Sequence, residues 1–263
     1  GLSKETVIKA YAHLCKEGTI NSLPGKGYFV REGYLSGKPS LFVLMDKLSL
    51  HQQDIMGGII EELSGRADIT IRMHYQDIGQ FELELHKALD RYDWYLVFPH
   101  FSIDKGTQEK ALKLLGIIPP EKLIIMDRLV DGAPQMAGAS YQSIEQDIPA
   151  MLEPVLDDIR KYRTFRYISL SVSLYGDLVA DTILKFAQEH SVHVEILKEI
   201  PDVICEKDLF FVSGSRLDRR LSELLRKMTT SGLEIGKDVG LICYNDFPLN
   251  EFILGGLTTL STD

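Results

Sequence analysis

Long apolar runs are missing from this sequence. Nowhere do its 263 residues hold the ~18 consecutive apolar side chains of a membrane-spanning helix, so no membrane partner is expected. Cysteine is scarce. Cys15, Cys205 and Cys243 are far apart and form neither a CxxC pair nor a Cys/His cluster. That argues against a zinc site or a disulfide framework and suits a reducing cytoplasm. Catalytic signatures are also lacking. Gly25-Lys26-Gly27 runs into Val30 where a dinucleotide fingerprint needs its third glycine, and there is no GxxxxGK[ST], HExxH or GxSxG. No catalytic residue, cofactor or metal is implied, and an α/β enzyme is the weaker alternative.

What is present is a soluble, globular composition, 44% hydrophobic and 25% charged, with length enough for roughly two domains. The formal charge of −9 is unevenly placed. Residues 1–38 hold five Lys and Arg31 against Glu5, Glu17 and Glu32, a balance of +3, so the remainder carries −12. A mildly basic head on an acidic body fits a nucleic-acid reader joined to a separate sensor.

Ser3 to Val30 gives the head its form. Ser3 can cap a helix by accepting from the backbone NH of Glu5 or Thr6, and Glu5 adds a carboxylate near the positive helix end. Val7, Ala10, Tyr11 and Leu14 recur at spacings of three and four, one stripe, with Glu5, Lys9, His13 and Lys16 facing away. Gly18 stops the helix. Thr19 to Ser22 and Tyr28 to Val30 are β-prone and joined by Leu23-Pro24-Gly25-Lys26-Gly27, which suits a hairpin with Lys26 at its tip. A helix followed by such a wing can enter a groove and reach the phosphates beside it.

This stretch resembles the winged helix-turn-helix of GntR-family transcription regulators at Ser3, Lys4, Thr6, Val7, Ala10, Leu14, Glu17, Gly18, Gly25, Gly27, Phe29 and Val30. The resemblance implies that Ser3, Lys4, Thr6 and Lys9 face DNA from the recognition helix while Lys26 and Gly27 approach it from the wing. Lys4 stands where that family more often has Arg, and an ammonium lacks the planar fork for bidentate base reading. The two helices that precede the recognition helix in that family are not in this sequence, which opens at Gly1-Leu2-Ser3. The expectation is a partial winged helix over 1–31 that binds DNA poorly by itself, because its stripe has nothing to pack on. Residues 32–40, with Gly33, Gly37 and Pro39, read as a linker.

From Leu41 strands and helices alternate, the signature of doubly wound parallel sheets. Strands are expected at 41–45, 69–73, 94–98 and 123–126, with helices at 52–64, 80–91 and 105–115. These make an N-terminal lobe of four strands over 41–142. A long helix at 143–162 opens a C-terminal lobe, 143–247, with strands at 167–170, 192–197, 209–212 and 239–243 and helices at 178–190 and 217–231. Residues 248–263 read as a crossover back to the first lobe, cut short before the last helices of such a fold.

Open sheets of this kind take ligands at the carboxyl ends of their strands. The candidates are Asp46 and Ser49, His100 and Phe101, Arg128 after Asp127, Tyr175 and Asp177, Ser213 and Ser215, and Asp246 after Asn245. Carboxylates, hydroxyls, a guanidinium and aromatic faces suit a neutral polyhydroxylated ligand. Ile125-Met126-Asp127-Arg128, Asp238 to Asp246 and Leu257-Thr258-Thr259 are similar to the effector domain of LacI/GalR-type regulators, a type I periplasmic-binding-protein-like fold. That resemblance implies ligand contact at Arg128 and a place for Asp246 at the crossover. Ser213-Gly214-Ser215 stands where an Asp is usual, and Ser171 to Asp181 lacks the Arg many of these domains have there.

The expected fold is α/β: two-lobed periplasmic-binding-protein-like doubly wound sheets preceded by a partial winged helix-turn-helix. The expected function is that of a cytoplasmic, homodimeric transcription regulator. Its operator DNA is bound by the complete parent protein, and its effector is a small molecule, a monosaccharide, held between the lobes. A transport-type solute-binding protein would share the lobes and the cleft but has no use for Ser3 to Val30.

Overall fold

A computed structural model of the chain describes residues 3–23, 25, 27–30, 37–169, 174–213, 219–246, 248–253 and 257–261. The first helix, α1 (Lys4–Lys16), begins at the Ser3 cap, whose Oγ accepts from the Thr6 amide at 3.2 Å, and ends before Gly18 at φ 73°. Strands β1 (Ile20–Leu23) and β2 (Gly27–Val30) pair antiparallel, Ile20 opposite Val30 and Leu23 opposite Gly27. Gly25 turns between them with φ 74°, a conformation open to glycine at no steric cost. Tyr11 stacks on Tyr28 with ring centroids 4.4 Å apart. No residue of α1 is buried, and Val7 and Tyr11 of the apolar stripe stay exposed.

The first sheet consists of β3 (Ser40–Met45), β4 (Asp68–Met73), β5 (Trp94–Val97), β6 (Leu123–Asp127) and β7 (Gly138–Tyr141). All are parallel, in the order β4-β3-β5-β6-β7. Helices α2 (Leu50–Leu63), α3 (Ile78–Ala88) and α4 (Lys105–Leu115) connect them. Every residue of β3 is buried, as a central parallel strand covered on both faces should be. Leu41, Val43 and Met45 pack with Met56 of α2, and Phe42 and Leu44 pack with Phe81, Leu85, Ala111 and Leu115 of α3 and α4. Each helix starts at a side-chain cap: Ser49, Asp77 and Asp104 accept from the amides of Gln52, Gln80 and Thr107. The sheet has five strands, one more than expected. Gly138-Ala-Ser-Tyr at its edge is short and largely exposed, so it carries no burial pattern.

The second unit, separated from the first between Tyr141 and Gln142, repeats the plan. Strands β8 (Thr164–Ile168), β9 (Val194–Leu197), β10 (Asp208–Ser213), β11 (Gly240–Tyr244) and β12 (Thr258–Leu260) are parallel in the order β12-β11-β10-β8-β9. The expected 143–162 helix is broken into α5 (Ile144–Leu152), a 3₁₀ turn over Glu153–Val155 and α6 (Leu156–Ile159). Pro154 has no amide to continue the helical ladder. The other helices are α7 (Gly176–Glu189) and α8 (Arg219–Thr230). Thr258–Leu260, placed in the returning crossover by the sequence, is instead the edge strand of this sheet, pairing with Ile242 to Tyr244. Each sheet therefore has the relative order 2-1-3-4-5 of doubly wound folds.

Gly240 is fixed by close approach. A Cβ there would lie 2.5 Å from Leu209 Cδ1 and 2.6 Å from Tyr162 Cζ, inside a buried start of β11. Gly240→Ala is expected to destabilise the second unit by about 1–3 kcal/mol through overpacking. A thermal unfolding midpoint equal to that of the wild type would contradict it.

Candidate functional site

In the first sheet the strand order reverses at β3, whose neighbours are β4 on one side and β5 on the other. The crevice left at the carboxyl ends of β3 and β5 is where open α/β sheets bind ligands. Asp46 follows β3, and Phe98-Pro99-His100 follows β5, with the Phe98 amide still bonded to Leu44 O.

Asp46 is completely buried, and two amides satisfy it. Gln52 Nε2 donates to Oδ1, and Gln76 Nε2 donates to Oδ2 at 3.1 Å. Gln52 lies in the first turn of α2 and closes a capping box. Its amide donates to Ser49 Oγ at 3.2 Å, and its Oε1 accepts from the Ser49 amide at 3.4 Å. Gln76 arrives through a tight turn over His74-Tyr75-Gln76-Asp77, closed by the Asp77 amide on His74 O at 2.9 Å. Tyr75 has φ 54° and Gln76 φ 63°, the two left-handed centres of a type I′ turn that ordinarily takes Asn and Gly. A bulky residue there is strained. Tyr75 also stands well exposed, at 69%.

Asp127, the last residue of β6, is the second carboxylate and is 7% exposed. His100 Nε2 lies 2.9 Å from Oδ2 and His51 Nε2 3.2 Å from Oδ1. Asp127 also has left-handed backbone, φ 68°, in a γ-turn where the Arg128 amide donates to Met126 O at 2.8 Å. Burial pushes its carboxyl up, but the hydrogen bonds and charge of His100 and His51 outweigh burial and hold it well below the usual carboxylate range. The same hydrogen bond raises His51 against the burial that would lower it, with help from Asp54 on the next turn.

His74 completes the group. It is fully buried, donates its backbone amide to Met45 O at 2.8 Å, and packs its ring against Phe81 and Phe101. Nε2 donates to Phe98 O at 3.0 Å, which fixes the neutral tautomer. Burial lowers its pKa despite that bond and the nearby Asp46.

Asp46, Ser49, His100 and Arg128 of the sequence candidates thus fall on neighbouring strand ends of one sheet. Ser49 caps α2, and Phe101 is fully buried against Phe81 and His74, where it holds the imidazole in place. In the second unit Tyr175 precedes α7, Asp177 is exposed in its first turn, and Ser213 ends β10. Asp246, also exposed, accepts from Asn250 Nδ2 at 3.3 Å. Ser215 and Lys26 lie outside the described residues. Ser3, Lys4, Thr6 and Lys9 are exposed at the start of α1, and Gly27 opens β2 with φ 98°. Sequence reasoning missed His51, Gln52, His74 and Gln76. Gln52 had a legible signal, Ser49-Gln52 being a Ser-x-x-Gln box, whereas nothing in the sequence pairs His51 with a residue 76 positions on.

No family model matches the sequence, and no curated protein does. Solved structures do. A LacI-family transcriptional regulator from Lactobacillus casei with bound glucose is 16% identical over 84% of this chain and 86% of its own, with a TM-score of 0.60. The Lac repressor bound to ONPG in the repressed state is 16% identical over 100% of this chain and 80% of its own, with a TM-score of 0.65. The Lac repressor dimer bound to operator and the anti-inducer ONPF is 15% identical over 89% of this chain and 86% of its own, with a TM-score of 0.64. At this identity the likeness establishes fold. The two parallel sheets have the periplasmic-binding-protein-like fold of LacI-type effector domains. The GntR resemblance of Ser3 to Val30 gains no support from these matches. Among the described residues no helix is long and apolar enough to cross a membrane.

The Asp127 bridge makes one titration diagnostic. The His51 ring should titrate above 6.5 in the wild type and fall by more than its measurement error in Asp127→Asn, because the bond that raises it is gone. Ring-proton NMR across neutral pH checks this, and an unmoved His51 midpoint in the variant would contradict the bridge.

Proposed function

We propose that this chain is the ligand-sensing part, with a partial DNA reader, of a homodimeric transcription regulator whose operator affinity is set by a small polyhydroxylated ligand, a monosaccharide. The observation that carries this reading is the polar group at the switch point of the first sheet. Two carboxylates, three imidazoles and two amides converge there on a fold shared with regulators solved with glucose and with ONPG. Carboxylates that already hold donors on one side keep lone pairs for ligand hydroxyls, and Arg128, next to Asp127, can fork two neighbouring hydroxyls.

α1 and the β1–β2 hairpin favour the regulator over a transport-type binding protein. Ser3, Lys4, Thr6 and Lys9 occupy the exposed first turns of α1, where a recognition helix would present them. Gly27 opens β2 of the hairpin, and the exposed stripe Val7-Tyr11 is what the rest of a winged helix would cover. A ligand that binds two states of the parent unequally would change operator affinity about 5 to 150 fold for a coupling of ~1–3 kcal/mol.

A thermal-shift screen of monosaccharides and sugar acids tests the sensor. At least one sugar should raise the midpoint by a few degrees, and Arg128→Ala should lose most of that shift. No response from the wild type, or an equal response from the variant, would remove the ligand assignment. For the reader, this chain should bind operator-length duplex far more weakly than a version carrying a complete winged helix. The complete version's affinity should fall with salt as phosphate contacts release counterions. Equal affinity in a mobility-shift comparison would sink the DNA assignment of Ser3 to Val30.

A further inference from the structure

Two adjacent residues in the first turn of α2 are tied to two different strand ends. Gln52 donates to Asp46 after β3, and His51 meets Asp127 at the end of β6, which also holds His100 of the β5–α4 connection. We propose that the His51–Asp127–His100 bridge is a proton-controlled clasp on these loops, tight when His51 is charged and looser when it is neutral, and that ligand affinity follows it. The affinity clause rests on the reading of this strand end as the ligand site.

The geometry makes one tie titratable and leaves the other fixed. The Gln52 amide holds Asp46 at any pH, so α2 keeps one anchor while the other responds to a proton. Asp127 faces His51 from β6, and Asp54 faces it from the next turn of α2. Beyond them stand Asp46 and Lys47 after β3, His74 and Asp77 after β4, His100 after β5 and Arg128 after Asp127. Burial lowers the His74 pKa, which favours its neutral form. The two nearest charges are therefore both carboxylates, and both favour the imidazolium.

The direction follows from linkage. His51 is raised in the folded chain, so its contribution is complete below 6.5 and is lost as pH rises through its folded midpoint. Asp127 is lowered, so its contribution is present above 3.8 and is lost only in strong acid. The clasp is complete between those limits and loosens on the alkaline side. A ligand that prefers the clasped loops then takes up protons on binding and binds more weakly as pH rises.

The test compares the whole chain with His51→Gln, whose amide can still donate to Asp127 but cannot titrate, and with Asp127→Asn as a second variant. Amide exchange at Gln53, Asp54 and Arg128, divided by the intrinsic rate at each pH, should lose protection in the wild type as pH rises above 6.5. It should stay level in both variants. Calorimetric affinity for D-glucose and D-galactose should fall roughly fivefold over the same rise in the wild type, the low end of site-to-site couplings, and stay level in His51→Gln. Protection independent of pH in the wild type, or an equal loss in His51→Gln, would overturn the clasp. PH-dependent protection with level sugar affinity would overturn only the control of affinity and leave the sugar site standing. If neither sugar binds at any pH, the ligand reading fails and control of affinity falls with it, while exchange still decides the clasp.

Discussion

The first turn of α2 is held by two carboxylates, and much of the first unit's strand-end architecture depends on that restraint. A helix start exposes four amides and the positive end of its dipole. Here Ser49 satisfies one amide, and Asp46 and Asp127 stand beside the turn through Gln52 and His51. The arrangement is favourable for the helix and costly for the carboxylates, since both are almost wholly withdrawn from water. Burying a carboxylate without partners is strongly unfavourable. Each therefore has two donors from separate segments, and satisfying them brings together the loops after β3, β4, β5 and β6.

Part of the strained backbone lies at the same place. Tyr75, Gln76 and Asp127 all have positive φ, and none is a glycine. Such residues cost of order 1–3 kcal/mol each and persist only where their surroundings over-determine them. The surroundings are visible: Gln76 is drawn to Asp46, and Asp127 is drawn between two imidazoles. The polar bonds and the strain thus explain each other. Positive φ also occurs outside this network, at Asp90, Ser191, Lys207 and Asn245; Asn245 after β11 is of a type that tolerates its φ of 71°, and its amide still reaches Leu260 O at 2.7 Å.

Most of the scaffold was legible in the sequence because buried parallel strands write continuous apolar runs. Leu41 to Met45, Leu209 to Val212 and the helices between such runs fall close to their expected places for that reason. The exceptions lack that signal. Gly138 to Tyr141 and Thr258 to Leu260 are short edge strands with little burial, and the 143–162 span carries Pro149 inside α5 and Pro154 in the 3₁₀ turn where the helix is interrupted. Of the candidate site, the first residue past each strand was readable, so Asp46 and Arg128 were named. His100 was named as well, but its pairing with Asp127 was not, and His51 and Gln76 were not named at all, because these side chains reach Asp46 or Asp127 only through the fold, and a sequence carries no record of which loop bends toward which.

The magnitudes of this local network match what the proposed regulation would need. Coupling between two sites in a regulator is ordinarily ~1–3 kcal/mol, the same size as the strain held in one left-handed residue. A ligand need not rebuild the core of the first unit to shift an equilibrium by that amount. Changing the bonding of Asp46 or Asp127, each restrained by two donors and one of them set in strained backbone, is enough in energy. The core cannot offer so graded a response, since β3 is packed on both faces and any change in volume there is resisted at once. A sensor built on this sheet would therefore read its ligand in the strand-end loops and pass the change on through α2, the element those two carboxylates hold.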